Sequence, residues 1–204
     1  MMRIGFLASH NGSNAQAIID ACESGELPAQ PVVAVSNNGA AAVLERARRH
    51  GIPSYHLSAK TAGSEDALDR EMLRLLRAHG VSLLVLAGYM RKVGPATVAA
   101  FEGRIVNIHP ALLPKFGGQG MYGIRVHEAV LQAGEAETGI TIHLADGEYD
   151  RGRILAQCRV PVEAGDTPET LAARVLNREH RFYVETLAKI ASGEIELPAL
   201  TEAA

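Results

Sequence analysis

The chain has 204 residues, 47% hydrophobic and 21% charged, with 20 lysines and arginines against 23 acidic residues and a formal charge of −3. That size fits one domain with a large core, and the weakly acidic balance lacks the basic footprint of a nucleic-acid binder. No apolar run approaches the roughly 20 residues of a membrane span, no signal-peptide core opens the chain, and Cys22 and Cys158 build neither a disulfide framework nor a zinc site.

The expectation is one cytoplasmic domain over 1–204, with 195–204 a weakly structured tail and both thiols buried among apolar neighbours. Neither membrane nor nucleic acid is an expected partner, and oligomeric state is left open.

Apolar runs alternate with helical patterns from the start. Arg3–Ala8 reads as a buried strand, and Asn14–Ser24 as a helix with Ala15, Ile18, Ile19 and Cys22 on one stripe. Pro31–Ser36 is a second strand, Ala40–His50 a second helix, and Ser54–Leu57 a short segment. A helix over 64–79 places Leu68, Met72, Leu75 and Leu76 on one face. Ser82–Ala87 has no polar alternation, as a central strand buried on both faces requires. A brief helix near 95–101 leads to the strand Ile105–His109.

Beyond a glycine-rich loop lies a helix near 126–133. Gly139–Leu144 and Ile154–Val160 are strands joined by a short connection, which favours an antiparallel arrangement. A long helix then runs from about Thr167 to Ser192, with Asp166 as candidate N-cap. The pattern predicts an α/β fold: an open, mostly parallel, Rossmann-like sheet with helices on both faces and an antiparallel element in the C-terminal half.

Ligands of such sheets sit outside the carboxyl ends of the strands. In the first such segment, Ser9-His10-Asn11-Gly12-Ser13-Asn14, Gly12 permits a tight turn. Ser13 and Asn14 can cap the helix that follows, whose free N–H groups attract a phosphate. An ordinary N-cap has the same composition. In the second, Gly118–Gly123 matches G-x-G-x-x-G, but residues 110–116 separate it from the nearest strand and no acidic strand tip follows. A loop over a site is the better reading.

The third segment holds Asn107 and His109, two apart and so on one face of their strand. Asp150 lies in the acidic turn after Leu144. A carboxylate reaching His109 would orient its imidazole and leave the other nitrogen to move protons, and the Asn107 amide could donate to an oxyanion. The alternative is that His109 ends a strand and Asp150 closes a turn. His143, mid-strand, fits core or site. His127-Glu128 starts like a metalloprotease helix, but Leu131 stands where its second histidine belongs. His50, His56 and His79 read as surface residues.

The segment Asn107-Ile108-His109-Pro110 with Asp150-x-Gly152 resembles the folate-dependent formyltransferase family. The likeness extends through Asn11–Asn14, Ala87–Arg91, Gly139–His143, Gln157 and Arg178–His180. It implies transfer of the formyl group of 10-formyltetrahydrofolate, a co-substrate, to the amine of glycinamide ribonucleotide through a tetrahedral intermediate in purine biosynthesis. No metal is implied.

By that resemblance His109 handles proton transfer, Asn107 holds the oxyanion and Asp150 charges and positions His109. Asn11, Gly12, Ser13 and Asn14 hold the substrate phosphate and Glu179 the ribose hydroxyls. Met90, Arg91 and Val93 line the folate pocket, while Leu144, Ala145 and Asp146 begin the turn flanking the pterin. Lys92 replaces a branched apolar residue of the pattern, and the loop 116–124 is several residues longer than usual.

A family member acting on transfer RNA carries a further C-terminal domain, and a formyltetrahydrofolate hydrolase shares the three catalytic residues but has a regulatory domain. From other classes, a redox module using Gly118–Gly123 and a silent phospho-sugar binder are the competing readings.

Overall fold

The computed structural model describes residues 1–198. Its strands are β1 (Met2–Leu7), β2 (Ala29–Ser36), β3 (Ser54–His56), β4 (Leu83–Leu86), β5 (Ile105–His109), β6 (Glu137–Leu144) and β7 (Ile154–Pro161), and they form one sheet in the order β3-β2-β1-β4-β5-β6-β7. Pairing is parallel from β3 through β5 and antiparallel at β5–β6 and β6–β7. The chain therefore has the expected mostly parallel α/β sheet with an antiparallel C-terminal part.

Seven helices accompany the sheet among the described residues: α1 (Ser13–Glu23), α2 (Ala42–Arg49), α3 (Ala59–Ala62), α4 (Glu65–Ala78), α5 (Pro95–Ala100), α6 (Ile124–Gln132) and α7 (Pro168–Ser192). Successive strand side chains point to opposite faces. Ile4, Phe6, Leu83 and Val85 therefore enter a core covered by α1, α2 and α7, while Leu7, Leu84 and Leu86 enter one covered by α4. That double burial is why β4 shows no polar alternation. On the first face Tyr183, fully buried on α7, points its hydroxyl at the carbonyls of Leu86 and Val106, 3.2 and 2.9 Å away. One O–H thus ties the long helix to the ends of β4 and β5.

Several local expectations need correction. The N-cap of α7 is Thr167, whose hydroxyl accepts from the Thr170 N–H. Asp166 instead takes the Arg174 guanidinium at 2.6 and 2.8 Å, because its side chain reaches forward along the helix. Ser13 and Asn14 lie inside α1, whose N-cap is Gly12 at φ 67° with no side-chain cap. The short helix α3 escaped the sequence reading, and a Ser58–Thr61 capping box closes it. Both cysteines are half-buried rather than buried. Burial pushes the Cys22 thiol up to about 11 and that of Cys158 upward too, so neither forms a ready thiolate.

Residues 195–198 carry no helix or strand, yet Leu197 packs on the first core and Arg153 donates to the Glu196 carbonyl at 2.6 Å. The rest of the expected tail, 199–204, lies outside the described residues.

A buried carboxylate fixes the start of α5. Asp69 of α4 accepts from the N–H groups of Ala96 and Thr97, at 2.7 and 3.0 Å, and from the Thr97 hydroxyl at 2.6 Å. It caps α5 from another helix, satisfying donors that the helix start leaves orphaned. Gly94 makes room, since a Cβ there would fall on the Asp69 carboxyl group. Asp69→Ala is expected to cost on the order of 1–2 kcal/mol, the range of a lost N-cap. Denaturant melts of Asp69→Ala and Asp69→Asn, the latter retaining part of the cap, check it.

Candidate active site

Strand order reverses at β1, which has β2 on one side and β4 on the other. The chain leaves β1 and β4 in opposite directions there, opening a crevice at their carboxyl ends. Ser9 stitches its rim together. Its hydroxyl donates to Asn37 Oδ1 at 2.6 Å and accepts the Met90 N–H at 2.7 Å, while its own N–H donates to the Gly88 carbonyl at 3.0 Å. The sequence places Ser9 in the first candidate segment but gives it no role, because a lone serine after a strand has no distinguishing local pattern.

One strand further, β5 carries Asn107 and His109, and antiparallel pairing sets Asn107 opposite His143 of β6. Asp150 folds back over both. Its two carboxylate oxygens lie 3.5 Å from His109 Nδ1 and 3.4 Å from His143 Nε2. The turn that returns it has two special positions. Asp150 itself sits at φ 56°, a conformation aspartate tolerates better than most residues. At Gly152 any Cβ would overlap the Leu144 carbonyl oxygen. The Asp150-x-Gly152 spacing is thus a steric requirement of the turn.

His143, left ambiguous by sequence, belongs to this cluster. Its Nδ1–H donates to the Leu144 carbonyl at 2.9 Å, so in the neutral ring Nε2 accepts from Asn107 Nδ2 at 3.1 Å. One N–H of the Asn107 amide is thereby fixed and the other is left to donate elsewhere.

The glycine-rich loop supplies the remaining contacts, both from its backbone. The Phe116 carbonyl lies 2.7 Å from His109 Nε2 and the Gly118 N–H 2.9 Å from Asp150 Oδ2. Gly117 packs between them, where an added Cβ would press on Leu113. Because Nε2–H is held by Phe116, the nitrogen with a free lone pair is Nδ1, the same one that faces Asp150.

Burial pushes the His109 pKa down, against the opposing pull of Asp150 and the Phe116 carbonyl, so the resting ring is neutral. Burial also raises Asp150, but the adjoining imidazoles of His143 and His109 and the hydrogen bond from the Gly118 N–H outweigh it and hold the carboxyl below its ordinary range. The result is a neutral base beside a carboxylate, both largely buried. His127 of α6 is also buried and kept neutral by burial, with no hydrogen-bond partner at Nδ1.

At the start of α1 the backbone N–H groups have no intrahelical partners. Gly12 is required twice there: φ is 67°, and a Cβ would come within 2.5 Å of Val43 on α2. Arg46 of α2 braces Asn11, donating to its carbonyl at 2.9 Å and to its side-chain oxygen at 2.8 Å. This cation beside the loop lies on another helix, and nothing local in the sequence ties it to Asn11. Asn14 is buried and its amide donates to Glu179 Oε2 at 2.8 Å, while its own Oδ1 has no partner. Burial raises the Glu179 carboxyl to about 7, despite the Asn14 hydrogen bond. Ser13 makes no side-chain cap.

Beside the histidine cluster opens a cavity of about 1170 Å³ whose walls include Met90, Arg91, Val93, Leu144, Ala145 and Asp146. All six residues expected around a folate thus share one space. Lys92 lines it too, its ammonium 5.0 Å from the Tyr149 ring centroid, a cation–π contact bridging the loops after β4 and β6. Among the described residues one group of side chains, Asp20, Glu23 and His50, brings possible metal-donor atoms together, at the far end of α1.

Comparison with known proteins agrees with this layout. A family model described as formyl transferase matches residues 2–187. The chain is 44% identical over 195 residues to the chloroplastic phosphoribosylglycinamide formyltransferase of Arabidopsis thaliana, covering 95% of this chain and 67% of the plant protein. It is 39% identical to the phosphoribosylglycinamide formyltransferase of Escherichia coli, covering 96% and 90%. A crystal structure of glycinamide ribonucleotide transformylase 1 from Symbiobacterium toebii superposes with a TM-score of 0.89 at 40% identity, over 98% of this chain and 92% of that one.

Proposed function

The chain belongs to the formyl transferase family, and on that premise we propose that it transfers the formyl group of 10-formyltetrahydrofolate to the amine of glycinamide ribonucleotide. The observation that carries this reading is the neutral His109 held against the carboxylate of Asp150, whose chain neighbours Tyr149 and Gly152 line the large cavity.

The amine attacks the formyl carbon, forming a C–N bond and a tetrahedral oxyanion. The free N–H of Asn107 donates to that oxygen. His109 Nδ1 takes the proton the amine sheds, and Asp150 stabilises the imidazolium so formed. The intermediate collapses by breaking the bond to the folate nitrogen, which receives the proton from His109. Atoms and charge balance without a further reactant, and in this mechanism the protein uses no metal.

The start of α1, with Arg46 alongside Asn11, receives the substrate phosphate, and Glu179 the ribose hydroxyls. The cavity lined by Met90, Arg91 and Val93 takes the folate, with its pterin toward Leu144, Ala145 and Asp146. Residues 1–204 act as one formyltransferase domain in the cytoplasm, with small molecules as partners. Among the described residues no helix is long and apolar enough to cross a membrane.

The test follows the folate absorbance of purified protein with 10-formyltetrahydrofolate, with and without glycinamide ribonucleotide. Donor consumption is expected only with the amine. Equal consumption in its absence would replace transfer by hydrolysis.

A further inference from the structure

On α1, Gln16, Asp20 and Glu23 follow one another at four and three residues, and on α2 the C-cap His50 follows Arg46 by four. Such spacing puts each set on one stripe of its helix. The two stripes meet, and their side chains join end to end. The Gln16 amide nitrogen lies 2.7 Å from Asp20 Oδ1 and 2.9 Å from His50 Nε2, while its Oε1 accepts from Arg46 Nη1 at 3.3 Å. His50 Nδ1 in turn lies 2.6 Å from Glu23 Oε1.

One arrangement of hydrogens satisfies all of these contacts. The Glu23 carboxylate only accepts, so His50 carries its hydrogen on Nδ1, and in the neutral ring Nε2 accepts. Asp20 likewise only accepts. Gln16 must therefore turn its NH2 toward His50 and Asp20, which leaves its oxygen facing the guanidinium. A flipped amide would set its oxygen against Asp20 and its NH2 against Arg46. The same bonds account for the nearness of Asp20, Glu23 and His50.

The chain of contacts ends at the loop before α1. A guanidinium has five N–H groups. Arg46 gives two to the oxygens of Asn11 and one to Gln16, and among the described residues the other two are left for an anion.

We propose that Gln16 and His50 are positioning residues of the ribonucleotide site, fixing the Arg46 guanidinium in the orientation that braces Asn11 and meets the substrate phosphate. The proposal rests on the reading of the α1 start as the phosphate site. Both residues act through Arg46, and neither takes part in the chemistry.

The experiment compares steady-state kinetics of Gln16→Met, His50→Ala, Arg46→Met and their pairwise doubles, with thermal melts to confirm folding. Methionine keeps the length of Gln16 and removes its amide. Gln16→Met is expected to raise the ribonucleotide KM about 2- to 10-fold, the range of one hydrogen bond, with kcat and the donor KM unchanged. His50→Ala should raise it less, since Asp20 still holds the amide. Neither change should add to the loss in Arg46→Met, and His50→Ala should add nothing to Gln16→Met. Inorganic phosphate, as a competitor of the ribonucleotide, should weaken in the same order.

An unchanged ribonucleotide KM in Gln16→Met, an equal rise in the donor KM, or losses that multiply in the doubles would overturn the proposal. Asn11→Ala serves as the control on its premise. If Asn11→Ala and Arg46→Met leave both the ribonucleotide KM and phosphate inhibition unchanged, the phosphate reading itself fails. A loss in those two without one in Gln16→Met would instead reject the positioning role alone.

Discussion

Asp150→Asn is expected to lower turnover by about 10²- to 10⁴-fold, the usual contribution of general acid–base assistance, with little change in ribonucleotide affinity. The substitution keeps the size of the side chain and an oxygen able to accept the Gly118 N–H, but removes the charge. The imidazolium that forms when His109 Nδ1 takes a proton then faces a neutral amide 3.5 Å away, in a site where burial already disfavours the charged ring.

Because Asp150 raises the His109 pKa, its loss lowers that pKa further. The acid limb of the pH–rate profile should therefore shift to lower pH while the plateau falls. A merely structural role would move the plateau alone. His109→Asn should lose a comparable amount, and the double variant much less than the product of the two, since the residues act as one unit. The check is kcat for both single variants and the double variant at saturating substrates, with thermal melts to confirm folding. Fully multiplicative losses would separate Asp150 from His109.

The second large effect is one of stability. Glu179 is buried and its carboxyl is raised to about 7, so between roughly pH 4.5 and 7 the folded chain holds a proton that the unfolded chain has released. Stability must then fall as pH rises through that window. At roughly 1.4 kcal/mol for each pH unit of that window, the loss is on the order of 3 kcal/mol by pH 8.

Glu179→Gln keeps an oxygen to accept from Asn14 and has nothing to ionise. It should match wild type near pH 4.5 and melt at clearly higher temperature at pH 8, in the absence of substrate. Denaturation midpoints across that range check the prediction, and parallel curves for the two proteins would defeat it. The same substitution should weaken ribonucleotide binding if Glu179 meets the ribose, so a group that costs stability at neutral pH would serve binding.

The sheet was legible because its central strands are apolar on both faces and its helices carry clear stripes. The glycines at helix and strand ends marked the turns. Asn107 and His109 were legible as candidates because two residues of separation on a strand guarantee a shared face. Asp150 was linked to them by family resemblance; locally it is one of several acids in a turn.

His143 could not be assigned, since its place depends on the register of β6 against β5, a pairing set across 36 residues. The partners of Arg46 and Ser9 likewise lie far away along the chain. The grip of Phe116 on His109 is made by a main-chain carbonyl, for which residue identity is silent. The expected caps at Ser13 and Asp166 failed by one residue, because backbone geometry at Gly12 and a reciprocal Thr167–Thr170 pair decided the helix starts.

The way the loop after Pro114 holds the histidine and the aspartate has a consequence for variation. Both hydrogen bonds come from peptide groups, at Phe116 and Gly118. Neither of them depends on the side chains of Gln119, Met121 or Tyr122, whereas Gly120 sits at φ 89°, where a side chain would strain the loop. Gln119 is therefore a tolerant place to carry a reporter: Gln119→Cys, labelled with a small fluorophore, puts the label one residue from the Gly118 contact with Asp150.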